Sequence, residues 1–124
     1  MADLIYKEES YTIIGTLFEV YNHLGHGFSE IVYKEAIEHE FKSKDIPFER
    51  EKEYRVNYKD IVLPHKFYAD FVIFDKIILK IKCVESMLDT HIAQCINYLK
   101  VSGCRLALLA NFHKDLPDHK RIIF

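Results

Sequence analysis

The stretch from 66 to 84, KFYADFVIFDKIILKIKCV, leaves this chain few choices of fold. Its halves, 66–74 and 76–84, are rich in β-branched and aromatic residues, and the short Asp75-Lys76 turn joins them, so they read as the two strands of a hairpin. Side chains alternate along a strand, which puts Lys80 and Lys82 together on one face of an otherwise apolar segment. Asp70, on the preceding strand, shares its face with Tyr68, Val72 and Phe74, poor company for a carboxylate without a partner, a metal or an open cleft. Pairing across the 75–76 turn brings Asp70 near the level of Lys80 and Lys82. One carboxylate cannot neutralise two ammonium groups, so this cluster calls for a second anion, such as Glu30 or a bound phosphate, or for exposure to solvent. A buried Asp–Lys pair that does no chemistry is the plainer alternative.

The rest of the chain arranges itself around this hairpin. Ile14, Leu17, Phe18 and Tyr21 recur at helical spacing and predict a first helix over about 8–24, ended by Gly25. A second helix runs from about 29 to 44, with Ser29 as N-cap and Ile37 and Phe41 facing the core, and Pro47 closes it off. The period then changes to two at YRVNY, 54–58, with a turn at Lys59-Asp60. After the hairpin come a third helix at about 87–102, stopped by Gly103, a buried strand RLALLANF at 105–112, and an edge strand KRIIF at 120–124. The order is α-α-β-β-β-α-β(-β): an α/β chain with a mixed central sheet flanked by helices. A crossover through the third helix sets RLALLANF parallel to, and beside, the strand that carries Lys80.

At 124 residues the length suits one domain, 1–124, with a single core. A net charge of −2 and a pI near 6.4 provide no global basic field, so contact with nucleic acid would rest on a local patch. KSK (42–44), FEREKEYR (48–55) and HKDLPDHKR (113–121) are diluted by acids and read as solvated charged surface. No apolar run has the length of a membrane span and MADLIYKEES is not a signal peptide, which points to the cytoplasm. Cys83, Cys95 and Cys104 form no CxxC pair and read as reduced structural thiols. His91 and Cys95, four apart, are too few ligands for a zinc site.

Two further polar sets lie at helical spacing: Gln94 with Tyr98 on the third helix, and Glu30 with Tyr33 at the start of the second. Each has a bland reading. Tyr98 would pack in the core with Gln94 at its edge, and Glu30 would favour the positive end of the helix dipole. Taken together, however, GFSEIVY (27–33) fits Gly-x-x-Glu-x-x-Tyr, followed by YADFVIF and LLANF, and the chain resembles the GxxExxY family within the PD-(D/E)XK nuclease superfamily over nearly its whole length. That resemblance implies a restriction-endonuclease-like core and Mg²⁺- or Mn²⁺-dependent hydrolysis of nucleic acid, DNA rather than RNA. It also implies roles for residues. Asp70 matches the first metal-binding acid, Glu30 the helix glutamate that completes the metal shell, and Lys82 the lysine that positions water. Gln94 and Tyr98 match the Gln-x-x-x-Tyr element on the following helix.

One position departs. Where the signature has Glu or Asp two residues before the lysine, this chain has Lys80. The exchange alters local charge by two units. Like charges about 4 Å apart at an effective dielectric near 20 repel by about 4 kcal/mol, and a divalent ion facing Lys80 meets roughly twice that. The expectation is a nuclease-like protein with impaired or lost hydrolysis and badly impaired metal binding in the usual place, with Mg²⁺ or Mn²⁺ as the cofactor if it is active. The alternatives are an acid supplied from elsewhere, Glu30 or Glu85, and a non-catalytic nucleic-acid- or protein-binding module on the same scaffold. A homodimer is compatible with the sequence, although no residue argues for it.

Overall fold

The computed structural model describes residues 4–113 and 117–124. Two helices, α1 (Lys7–Leu24) and α2 (Glu30–Ser43), precede strands β1 (Phe48–Tyr58), β2 (Ile61–Ile73) and β3 (Ile77–Lys82). Helix α3 (Asp89–Ser102) then leads to β4 (Leu106–Asn111) and β5 (Asp118–Ile123). The strands form one sheet in the order β1-β2-β3-β4-β5, antiparallel except for the parallel β3–β4 pair at its centre. This is the mixed sheet flanked by helices that the sequence predicts.

Alternation along the central strands divides the core into two layers. Ile77, Leu79 and Ile81 of β3, with Leu106, Leu108 and Ala110 of β4, face the layer built with Ile13, Leu17, Tyr33, Ile37 and Phe41 of α1 and α2. Ile78, Ala107 and Leu109 face the opposite layer, with Cys95 and Leu99 of α3. A strand buried on both sides reads as an unbroken apolar run, as β3 and β4 do until Lys80. Lys80 and Lys82 continue the Ile78 face, toward α3. All three cysteines are free.

The helix ends follow local chemistry. Gly25 and Gly103 close α1 and α3 at positive φ (68° and 76°), where a Cβ would be strained. Ser29 occupies the N-cap of α2, but its hydroxyl makes no capping hydrogen bond. Between α1 and α2, the Tyr33 hydroxyl donates to the Gly25 carbonyl at 2.5 Å and accepts from the Phe28 amide at 3.4 Å, while its ring stacks on Phe112 at 4.5 Å. Tyr33 thus ties the glycine-rich connection to β4's end of the core.

Two boundaries differ from expectation. The charged segment 48–53 is not a solvated surface stretch but the first half of β1, and β2 begins at Ile61 rather than Lys66. Phe48, Arg50, Lys52, Tyr54 and Val56 alternate inward along this edge strand, so the stems of long charged residues do the covering. Charges on an edge strand also discourage pairing with other chains, and β5, at the opposite edge, carries Asp118, His119, Lys120 and Arg121. The hairpin turn spans Phe74, Asp75 and Lys76, with Phe74 and Asp75 left-handed (φ 55° and 58°). Of the 113–121 charge cluster, residues 114–116 lie outside the described residues.

Replacing Tyr33 by Phe keeps the ring stack and removes the hydroxyl's two hydrogen bonds. The expected loss is about 1 kcal/mol, read as a fall of about 4 °C in a thermal melt followed by circular dichroism. An unchanged melting temperature would mean that the tie between the glycine-rich connection and the core is not stabilising.

Candidate functional site

The sheet opens at one point. β2 pairs with β3 only through Phe71↔Leu79, Val72↔Ile78 and Ile73↔Ile77, and the ladder stops before Asp70. Continued in register, it would set Ala69 opposite Ile81. Instead the Ile81 amide donates to Asp70 Oδ2 at 2.8 Å, so a side chain stands in for the missing strand partner. Across on β1, Glu51 takes a left-handed conformation (φ 53°) between the Arg50↔Phe71 and Lys52↔Ala69 pairs. Asp70 therefore sits where β2 peels away from its neighbour, 1 % exposed.

Its other oxygen carries two cations. Asp70 Oδ1 lies 3.0 Å from Lys34 Nζ of α2 and 3.3 Å from Lys80 Nζ of β3. Both lysine side chains are 15 % exposed. Lys34 also approaches Glu51 Oε1 at 3.7 Å, and Lys80 Nζ stands 5.4 Å from the Tyr98 ring centroid. Burial works against the Lys80 ammonium, but Asp70 and then Tyr98 outweigh it, and its pKa lies above the ordinary lysine value. On the far side of Lys80, burial pushes the Cys95 thiol up to about 11 against the pull of Lys80 and Lys82, so it stays protonated and unreactive.

Asp70, Lys34 and Lys80 line an open cleft of about 570 Å³, together with Glu51, Gln94 and Tyr98 and with the β2 segment His65–Tyr68. The structure thus gathers four of the predicted site residues, Asp70, Lys80, Gln94 and Tyr98. It does not bring the other two to the cleft. Lys82, one alternation further along β3, does not line the cleft, and its ammonium has no ion pair among the described residues. Glu30 does not line the cleft; its charge acts on Cys83, whose thiol is raised to about 11 by burial first and by Glu30 second. From α2 it is Lys34, one turn beyond Glu30, that reaches Asp70. Nothing in the local pattern of α2 marks Lys34, because it flanks the Tyr33–Ile37–Phe41 stripe and becomes part of the site only through packing against the sheet. His91 Nδ1 accepts from the Leu88 amide at 3.0 Å at the start of α3.

The donor set does not fit a divalent cation. One oxygen of Asp70 is bracketed by two ammonium groups and the other is bonded to a backbone amide. Hard cations require several oxygen ligands, and no group of three His, Cys, Asp or Glu converges among the described residues. The arrangement can instead hold an anion. The ionised residues lining the cleft, Lys34, Lys66 and Lys80 against Glu51 and Asp70, sum to one positive charge.

A family model described as the PD-(D/E)XK nuclease superfamily matches residues 7–122. Among solved structures the chain is similar to that titled "Crystal structure of SSO0001", at 20 % identity and a TM-score of 0.61. The match covers 95 % of this chain and 59 % of that one, so the chain spans about three fifths of its length, and the likeness is one of fold. No curated protein matches the chain. No helix among the described residues is long and apolar enough to cross a membrane.

Removing the shared carboxylate should be costly, because two part-buried ammonium groups and the Ile81 amide lose their partner together. Asp70→Ala is expected to destabilise the fold by about 3 kcal/mol or more in urea unfolding. The raised Lys80 pKa also sets a pH dependence. Its contribution is complete below the ordinary lysine value and is lost as pH rises through the raised one. Wild-type stability should therefore fall more steeply than that of Lys80→Met above about pH 10; equal slopes would remove Lys80 from the electrostatics of the fold.

Proposed function

The chain belongs to the PD-(D/E)XK nuclease superfamily, and we propose that within it this protein binds nucleic acid at the Asp70 cleft without the metal-dependent hydrolysis that the superfamily signature implies. The observation that carries this reading is the double lysine clamp on Asp70, with Lys80 in the place of the signature's second acid. In that position an acid and Asp70 together would demand a cation. Lys80 supplies one covalently, and the residues lining the cleft, Lys34, Lys66 and Lys80 against Asp70 and Glu51, keep one net positive charge for a phosphate. Gln94 and Tyr98 stand on the cleft wall as hydrogen-bonding and stacking groups for the bound strand. Membership of the narrower GxxExxY group belongs to the same proposal, supported by Gly27 at φ 109° and by the anchoring of Tyr33. DNA is the expected nucleic acid, located with the protein in the cytoplasm.

The test sets wild type beside Lys80→Glu. Labelled single- and double-stranded DNA and RNA are incubated with Mn²⁺, and metal binding is followed by calorimetry. The wild type should bind DNA, leave it intact and take up no Mn²⁺. Lys80→Glu should gain measurable Mn²⁺ affinity, and Lys34→Ala in the same background should increase it by freeing Asp70. Cleavage by the wild type that Asp70→Asn abolishes would overturn the proposal, since it would mean that the lysines give way to a metal during turnover.

A further inference from the structure

The Asp70 cleft does not end at Tyr98. A second hollow of about 480 Å³ adjoins it, lined by Arg55, Val56, Asn57, Phe67, Asn97, Lys100 and Val101. Phe67 and Asn97 belong to both. On α3 the positions Gln94, Asn97, Tyr98 and Val101 stand at i, i+3, i+4 and i+7, so one helix face walls the two hollows in succession. The β1–β2 hairpin forms the opposite wall. We infer that the two hollows are a single track for one unpaired strand of nucleic acid, running from Lys34 and Lys80 between α3 and the hairpin to a second phosphate subsite at Arg55 and Lys100. This inference rests on the nucleic-acid reading above and extends it to a substrate form and to residues outside the Asp70 cluster.

Charge is the first argument. Lining the track are Lys34, Arg55, Lys66, Lys80 and Lys100 against Glu51 and Asp70, with Glu53 paired to Lys66 at 3.6 Å, an excess of two positive charges on a chain whose net charge is −2. The basic patch that bulk composition did not provide is thus gathered here from five separate places in the sequence. Arg55 and Lys100 are also available, since each is exposed. Among the described residues Arg55 holds a long 3.4 Å hydrogen bond to the Pro64 carbonyl, and Lys100 rests 5.9 Å from the Phe124 ring.

The second argument is aromatic. His65, Phe67 and Tyr98 form a row, with centroids 4.7 Å and 5.9 Å apart and successive rings nearly perpendicular. Rings interleaved with cations stack unpaired bases, whose faces are free, whereas a duplex offers only its backbone and groove edges. From Gln94 to Val101 the helix rises about 10 Å, which matches roughly three nucleotides of a stacked strand at about 3.4 Å each.

The experiment measures fluorescence anisotropy with a short labelled oligothymidine and with a blunt duplex, across a salt series. Wild type, Arg55→Glu/Lys100→Glu and Phe67→Leu are compared, and each fold is checked by thermal melting. The track predicts that wild type prefers the oligothymidine. Charge reversal should weaken it at least tenfold and lower the salt slope by about one or more, at about 0.7 per lost contact. Phe67→Leu should weaken it about tenfold through lost stacking. If Lys80→Ala weakens DNA binding while the Arg55/Lys100 pair does not, or if the duplex binds more tightly, the track is wrong and the Asp70 cleft reading stands. If neither nucleic acid binds the wild type, both fall.

Discussion

A carboxylate withdrawn from water must replace its hydration shell or give up its charge, and Asp70 meets that demand with partners from three elements at once. The Ile81 amide of β3 takes one oxygen; Lys34 of α2 and Lys80 of β3 take the other. The opening of the sheet depends on this solution. With β2 peeling from β3 after Phe71, an amide at the edge of a buried strand would otherwise go unpaired, at a cost comparable to a lost hydrogen bond. The gap between the strands persists because a side chain closes its polar account, and the cleft exists because the gap persists. Tyr98, Gln94 and the hairpin wall are arranged around a fault in the ladder, not around a recess in a continuous surface.

The same solution decides what kind of site this is. A pair of acids facing a lysine is electrostatically incomplete and draws in a hard cation. Here the second acid is an ammonium, the local charge moves by two units, and Lys34 adds a further cation from α2. Within the cluster Lys34 and Lys80 face Asp70 and Glu51, so its own charges balance. On the reading proposed above, a nuclease-like scaffold can carry a cleft for anions while the sheet and the helices stay the same.

Much of this was legible in the chain. Period-two alternation gave the hairpin, the shared face of Lys80 and Lys82 and the level of Asp70, because strands expose their faces in one dimension. The parallel β3–β4 pair followed from the helix between them. What escaped notice did so for physical reasons. The first half of β1 was hidden because FEREKEYR buries the methylene stems of charged residues, and a pattern that counts only apolar residues misses them. Lys34 was hidden because its partner lies 36 positions away on another element. Lys82 shares the face of Lys80 but stands one alternation too far along β3 to line the cleft, and where a cleft ends is not written in local alternation. The cations lining the two hollows could not be read together from any window of sequence, as they come from both halves of the chain.

The unequal lengths of the strands carry a mechanical consequence. β1 and β2 run on for more than a dozen positions outside the Phe71–Ile73 segment that joins them to the rest of the sheet, and between Arg55 and Lys66 nearly every residue is exposed. A two-stranded ribbon with so little packed against it is a compliant cantilever. Its anchor is the Glu51–Asp70 level, where the ladder is already interrupted. The amides of its outer part should exchange with solvent ahead of those of β3 and β4. The gape of the groove is then a soft coordinate, set by the bending of one arm, while the lysines at its root stay fixed.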